Sequence, residues 1–189
     1  MIAVAFGVLI RLIRYLSDRP LWGDEAMVAV NVLGRDFAGL LEPLVFFQVA
    51  PVGFLWIERA MVVLFGASEW ALRLAPAVCG MVAVPLFACM ARRAVGPFAA
   101  LLAVGVFAVS YAPIRHAVEV KPYAFDLLAA VVLMGQAIRW LARPDQTRTL
   151  WGLLVAAPLA MACSHPAVFV AGGIGLALAP RVWKLGIER

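Results

Sequence analysis

Charge is what this sequence has little of. Asp, Glu, Lys and Arg make up 14% of the 189 residues, against 65% hydrophobic residues and a mean hydropathy of +0.97. Soluble domains carry about 25% charged residues, so this chain has too little polar material to cover a water-facing globule, and a soluble domain is excluded. Cysteine is sparse too. Cys79, Cys89 and Cys163 all sit inside apolar stretches without metal-ligand spacing, which leaves them as small core residues and gives neither a disulfide framework nor a zinc site. Lys and Arg outnumber Asp and Glu by 16 to 11, for a formal charge of +5. No basic run with interleaved aromatics accompanies that excess, so nucleic acid is set aside as a partner.

What the sequence does contain is a series of apolar runs. Crossing about 30 Å of hydrocarbon takes about 20 helical residues, and residues 2–16, 71–91, 94–114 and 123–142 meet or approach that length. Residues 149–180 contain no Asp, Glu, Lys or Arg. At 1.5 Å per residue they would reach about 48 Å, which suits two short spans broken at Ser164-His165-Pro166, since proline is disfavoured inside a helix and tolerated at its first turn. Segment 43–66 is apolar enough to span but is interrupted by Glu58-Arg59. If it lies along the surface, Arg92, Arg93, Arg139, Arg143, Arg148, Arg181, Lys184 and Arg189 all face the cytoplasm; if it spans, everything after it flips. The remaining bases sit mostly in or beside helices rather than in short loops, which favours the surface-lying arrangement.

The expectation is an all-α membrane protein with about six transmembrane helices and both ends in the cytoplasm, forming one domain over 1–189. A long first outer loop, 17–69, carries short surface-lying helices, and a second outer loop covers 112–122. Residues 1–16 lack a basic leader and a small-residue cleavage site, so they read as a span and not as a cleavable signal.

Ionisable groups near a bilayer are costly and mark function by default, and here they gather in the two outer loops. Arg11 and Arg14 are three apart and share a helix face, as interfacial snorkelling groups or as a cationic patch that meets a phosphate. Asp24 and Glu25 follow Trp22-Gly23 and precede an amphipathic run, where acids satisfy a helix N-terminus. The second loop packs Arg115, His116, Glu119 and Lys121 into seven residues, between Pro113 and Tyr123. Asp126 reads as a first-turn acid facing the bundle interior. His165 is an interior histidine or a functional one.

Four strings recur in an order that resembles the membrane glycosyltransferases of the GT-C superfamily. They are Arg11-x-x-Arg14 with Leu21-Trp22-Gly23-Asp24-Glu25-Ala26; Phe65-Gly66-Ala67-Ser68-Glu69-Trp70-Ala71-Leu72-Arg73-Leu74; Ser110 with Arg115, Glu119, Lys121, Pro122, Tyr123 and Ala124; and Cys163-Ser164-His165. The nearest likeness is to the family 39 and family 83 type, which includes protein O-mannosyltransferases and bacterial lipid A aminoarabinose transferases. Tyr111 stands where that family usually has proline, Val118 where glutamine is common, and Gln48-Val49-Ala50-Pro51 where a His-Pro-Pro or Glu-Lys-Pro segment is usual. Family members are typically longer, so the chain is expected to be an N-terminal portion of such a module or a truncated relative.

The resemblance implies an inverting, multi-pass membrane glycosyltransferase of a bacterial plasma membrane. Such an enzyme takes a hexose or pentose from a polyprenyl-phosphate donor and passes it to a lipid, glycan or protein acceptor at the outer face. That chemistry needs a carboxylate for the acceptor proton and cations for the phosphate leaving group. By the same resemblance Asp24, with Glu25 beside it, is the catalytic carboxylate. Arg115 and Lys121 meet the phosphate, with Glu119 placing Lys121 or an ion, and Arg11, Arg14, Tyr123 and His165 are further substrate contacts. A divalent metal is left open, because only some GT-C enzymes need one. Two other classes stay in view. A transporter or flippase fragment would put broken helices and ionisable groups near the midplane; a non-catalytic membrane scaffold would leave the Trp-Gly-Asp-Glu and Glu-x-Lys-Pro-Tyr strings without a role.

Overall fold

The computed structural model describes residues 1–17 and 19–187. Among them every regular element is helical: α1 (Ile2–Leu16), α2 (Gly23–Gly34), α3 (Val52–Phe65), α4 (Glu69–Ala94), α5 (Pro97–Val109), α6 (Tyr111–Arg115), α7 (Tyr123–Ala142), α8 (Thr147–Cys163) and α9 (Ala167–Ile187). Single 3-10 turns lie at Gly39–Leu41, Val45–Phe47 and His116–Val118. Arg189, one of the bases assigned to the cytoplasm, lies outside the described residues.

Three helices, α4, α7 and α9, are long and apolar enough to cross a membrane, and the α5–α6 pair adds a fourth if it is one broken span. That is fewer than the six expected. The shortfall is one of length. The expected spans at 2–16 and in the first half of 149–180 form helices of 15 and 17 residues, or about 22 and 26 Å, short of the roughly 30 Å of hydrocarbon. Helix α5 stops at Ser110, where the axis bends by 52°. Restarting at Tyr111 puts Pro113 in the first turn of α6, where its missing N–H costs nothing. The Ser110 hydroxyl donates to the Val106 carbonyl at 2.6 Å, satisfying one of the free acceptors at the end of α5.

Helix α4 is the centre of the bundle, with α1, α3, α5 and α7 packed around it, and α7 in turn carries α8 and α9. The bend after α5 drives the turn at 116–118 into α4. A Cβ on Gly80 would lie 2.5 Å from that of Ala117, so only glycine permits this approach. The second loop is therefore packed inward and not a solvated turn: Ala117, Val118 and Val120 are all buried.

Helices α2 and α3 cover the end of the bundle where α4 and α7 begin. Val28, Val32, Leu40, Phe54, Leu55, Leu72, Val120 and Phe125 form one core there, with Phe54 edge-on to Phe125 at 5.4 Å between ring centroids. The face that α3 turns inward is Phe54, Leu55, Glu58 and Val62. Glu58 is wholly buried, and neither carboxyl oxygen has a hydrogen-bond partner among the described residues. Burial without a partner pushes its carboxyl well above the ordinary glutamate range.

Candidate functional site

The first turn of α2 and the segment 119–121 meet over one buried carboxylate. Glu25 Oε2 accepts from the Trp22 N–H at 2.9 Å, so Glu25 is the acid that satisfies a free donor at the start of α2. Its Oε1 accepts from the Val120 N–H at 2.9 Å, across 95 residues of sequence. Arg73 of α4 brings Nη2 within 3.7 Å of Glu25 Oε2 and Nη1 within 3.5 Å of Glu69, and it donates to the carbonyls of Arg19 and Pro20. At 5% exposure, with both oxygens engaged, Glu25 is a tie between three segments.

Asp24 is placed differently from its neighbour. Its side chain is half exposed, and Oδ2 lies 3.5 Å from Lys121 Nζ. Lys121 Nζ donates to Gln48 Oε1 at 2.8 Å, and Gln48 Nε2 donates to the Phe46 carbonyl at 3.2 Å. The start of α2 and two loop segments thus converge at the ion pair. Gln48 went unnoticed in the sequence except as a departure from the family pattern; the visible signal was an isolated polar residue in an otherwise apolar stretch.

The segment 119–121 serves two sides. Glu119 has extended backbone, φ −89° and ψ 140°. Its carboxylate engages Arg115 Nε at 2.8 Å and His116 Nδ1 at 2.5 Å. Lys121 has other partners, Asp24 and Gln48, and between the two residues the Val120 N–H is held by Glu25. Tyr123 stacks at a tilt on His116, ring centroids 4.6 Å apart.

Beside Glu119 opens a cleft of ≈ 350 Å³, lined by Arg14, Arg19, Arg73 and Arg115, by Glu25 and Glu119, and by Pro20, Trp22, Tyr111 and Val118. Four guanidiniums against two carboxylates leave it cationic, and planar guanidinium forks match phosphate oxygens. Arg19, Arg73, Trp22 and Tyr111 were not singled out as ligands in the sequence. Arg73 carried a signal in its spacing of four from Glu69 and Tyr111 one as a departure from the family pattern, whereas Arg19 carried none.

Arg11 does not join Arg14 in this cleft. It is fully buried and donates to the carbonyls of Gly7 at 2.8 Å and of Ala108 and Phe107 at 3.3 Å each, with its guanidinium 5.2 Å from the centre of the Phe107 ring. From α1, Arg11 thus caps the end of α5. His165 is also apart from the cleft. It lines a second cavity of ≈ 360 Å³ with Pro51, Val52, Trp56 and Met161. Among the described residues no three His, Cys, Asp or Glu side chains converge to hold a metal ion.

Residues 49–185 match the sequence model of a family described as dolichyl-phosphate-mannose-protein mannosyltransferase. The match takes in Arg73, Arg115, Glu119, Lys121 and His165, and it begins after Asp24 and Glu25. No curated protein and no solved structure matches the chain.

Proposed function

Because the chain belongs to the dolichyl-phosphate-mannose-protein mannosyltransferase family, we propose that it forms the part of a membrane glycosyltransferase that holds the phosphate of a polyprenyl-phosphate sugar and presents a carboxylate to the acceptor. The observation that carries this reading is the four-arginine cleft, separated from the Asp24–Lys121 pair only by the buried Glu25–Val120 tie. In the reaction, the acceptor hydroxyl gives its proton to Asp24 as its oxygen bonds to the anomeric carbon. The bond from that carbon to the phosphate oxygen breaks on the opposite face, with inversion, and its electron pair leaves with the phosphate. Arg14, Arg19 and Arg115 stabilise that charge. Lys121, 3.5 Å away, holds Asp24 in place. Glu25, with both oxygens committed, is a positioning residue in this scheme, not a second base.

The outer membrane face is the side we assign to the site. Arg92, Arg93, Arg139, Arg143 and Arg148 lie at the opposite end of the bundle, where α4 and α7 end and α8 begins, and short-loop bases of this kind mark the cytoplasmic side. A transporter reading is less well supported, because α4 carries no charge between Arg73 and Arg92. The test uses membranes containing the protein, a radiolabelled polyprenyl-phosphate sugar and the native acceptor lipids and proteins. Asp24→Asn keeps the side chain's size and removes its basicity, so transfer should fall by about 10²–10⁴-fold at unchanged protein abundance. Undiminished transfer by that variant would sink the assignment.

A further inference from the structure

The turn Val45–Phe47, between α2 and α3, holds two phenylalanines in the left-handed region, with φ of 60° at Phe46 and 54° at Phe47. Residues with a Cβ avoid that conformation, and two in succession need a reason. Packing within the chain does not supply one: Phe46 is 54% exposed and Phe47 is 102% exposed. The turn is nonetheless clamped. Buried Asn31 accepts from the Val45 N–H at 2.9 Å and donates to the Val45 and Met27 carbonyls. Arg35 donates to the carbonyls of Gly39, Glu42 and Pro43. On the far side Gln48 holds the Phe46 carbonyl. The conformation is thus enforced by buried and charged groups, and its effect is to aim two aromatic rings away from the protein.

We propose that the Phe46–Phe47 tip is a wedge that inserts into the headgroup and upper acyl region of the phospholipid bilayer. The chemistry of the tip selects this ligand. Residues 43–57 contain no Asp, Glu, Lys or Arg, and the exposed neighbours Leu41, Val45 and Val49 are all aliphatic, so the tip offers no charge pattern by which to recognise a polypeptide. Aromatic side chains favour the membrane interface, and a chain with apolar spanning helices has that interface beside it. The wedge also has a mechanical partner. Gln48, the residue after Phe47, holds Lys121, so the depth of the tip sets the height of the Asp24–Lys121 pair above the bilayer. This inference goes beyond sugar transfer and requires only that the protein sit in a membrane.

Collision accessibility of a spin label tests it independently of any enzymatic assay. In a background carrying Cys79→Ala, Cys89→Ala and Cys163→Ala, single cysteines at Phe47→Cys and, as an aqueous reference, Glu42→Cys are labelled with a nitroxide. The protein is then reconstituted into vesicles of phosphatidylethanolamine and phosphatidylglycerol. At position 47, collisions with dissolved oxygen should exceed those with a water-soluble nickel chelate, and at position 42 the order should reverse. Nickel collisions exceeding oxygen at position 47 would overturn the proposal. Protection from both reagents with an immobilised spectrum would overturn it too, by placing a protein surface over the tip. If Phe47→Cys fails to fold, Val49→Cys, 81% exposed on the same tip, decides by the same criterion.

Discussion

Arg11 and Arg14 stand three residues apart on one helix, yet one closes the end of α5 and the other lines a cleft. Their substitutions should separate cleanly. Arg14→Gln is expected to raise the KM for the lipid-linked donor while leaving the thermal unfolding midpoint in detergent unchanged. Arg11→Gln strips three carbonyls of a charged donor and should lower that midpoint, at a cost of about 1–3 kcal/mol. Glu58 makes a pH argument of its own. Its folded-state carboxyl titrates well above the ordinary value of 4.5, so the folded state binds the extra proton. The neutral carboxyl is tolerated fully below that ordinary value, and stability is lost as pH rises from there through the higher folded value. Measured against Glu58→Leu, the wild-type midpoint should fall steadily over that window, and parallel curves for the two proteins would contradict the burial. The types of residue in both loops were legible in the sequence. Their partners were not, because helical spacing says which residues share a face and nothing about what that face meets.

At the scale of elements, the apolar runs over α4 and α7 were read from hydropathy to within a few residues, since length and lack of charge decide such helices. The break at Ser110 was not read. Residues 94–114 are uniformly apolar, and nothing in composition separates a straight span from one that bends and feeds a turn back into the bundle; Pro113 marks the place but suits either arrangement. The inward turn depends on Gly80. Gly80→Val should push the 116–118 segment off α4, at about 1–3 kcal/mol for overpacking, and carry Glu119 and Lys121 with it. A cysteine at Ala117 reports this directly: unreactive to thiol reagents in the parent, where the position is 1% exposed, and reactive in the Gly80→Val background. An unreactive Ala117→Cys in both would mean that the approach of turn to helix tolerates a side chain.

For the whole molecule, the proposed sidedness rests on which loops carry bases, and it is open to a simple measurement. In the cysteine-free background, Asp36→Cys and Tyr111→Cys, both at exposed positions, should react with an impermeant maleimide from outside intact cells, and Asp145→Cys should react only after the membrane is permeabilised. Labelling of position 145 from outside would invert the arrangement, because charge counting alone left segment 43–66 free to span. The contact between Glu25 and the Val120 N–H has a consequence in time as well as in space. Its partners are 95 residues apart, and at about 5–20 residues per second of synthesis roughly 5–20 s separate their emergence from the ribosome. Arg73 arrives midway. During nascent-chain insertion α2 must wait with its carboxylate unsatisfied by the loop that later covers it. Ribosome-bound intermediates ending before residue 120 should therefore leave the first loop open to added protease, and those carrying α7 should protect it.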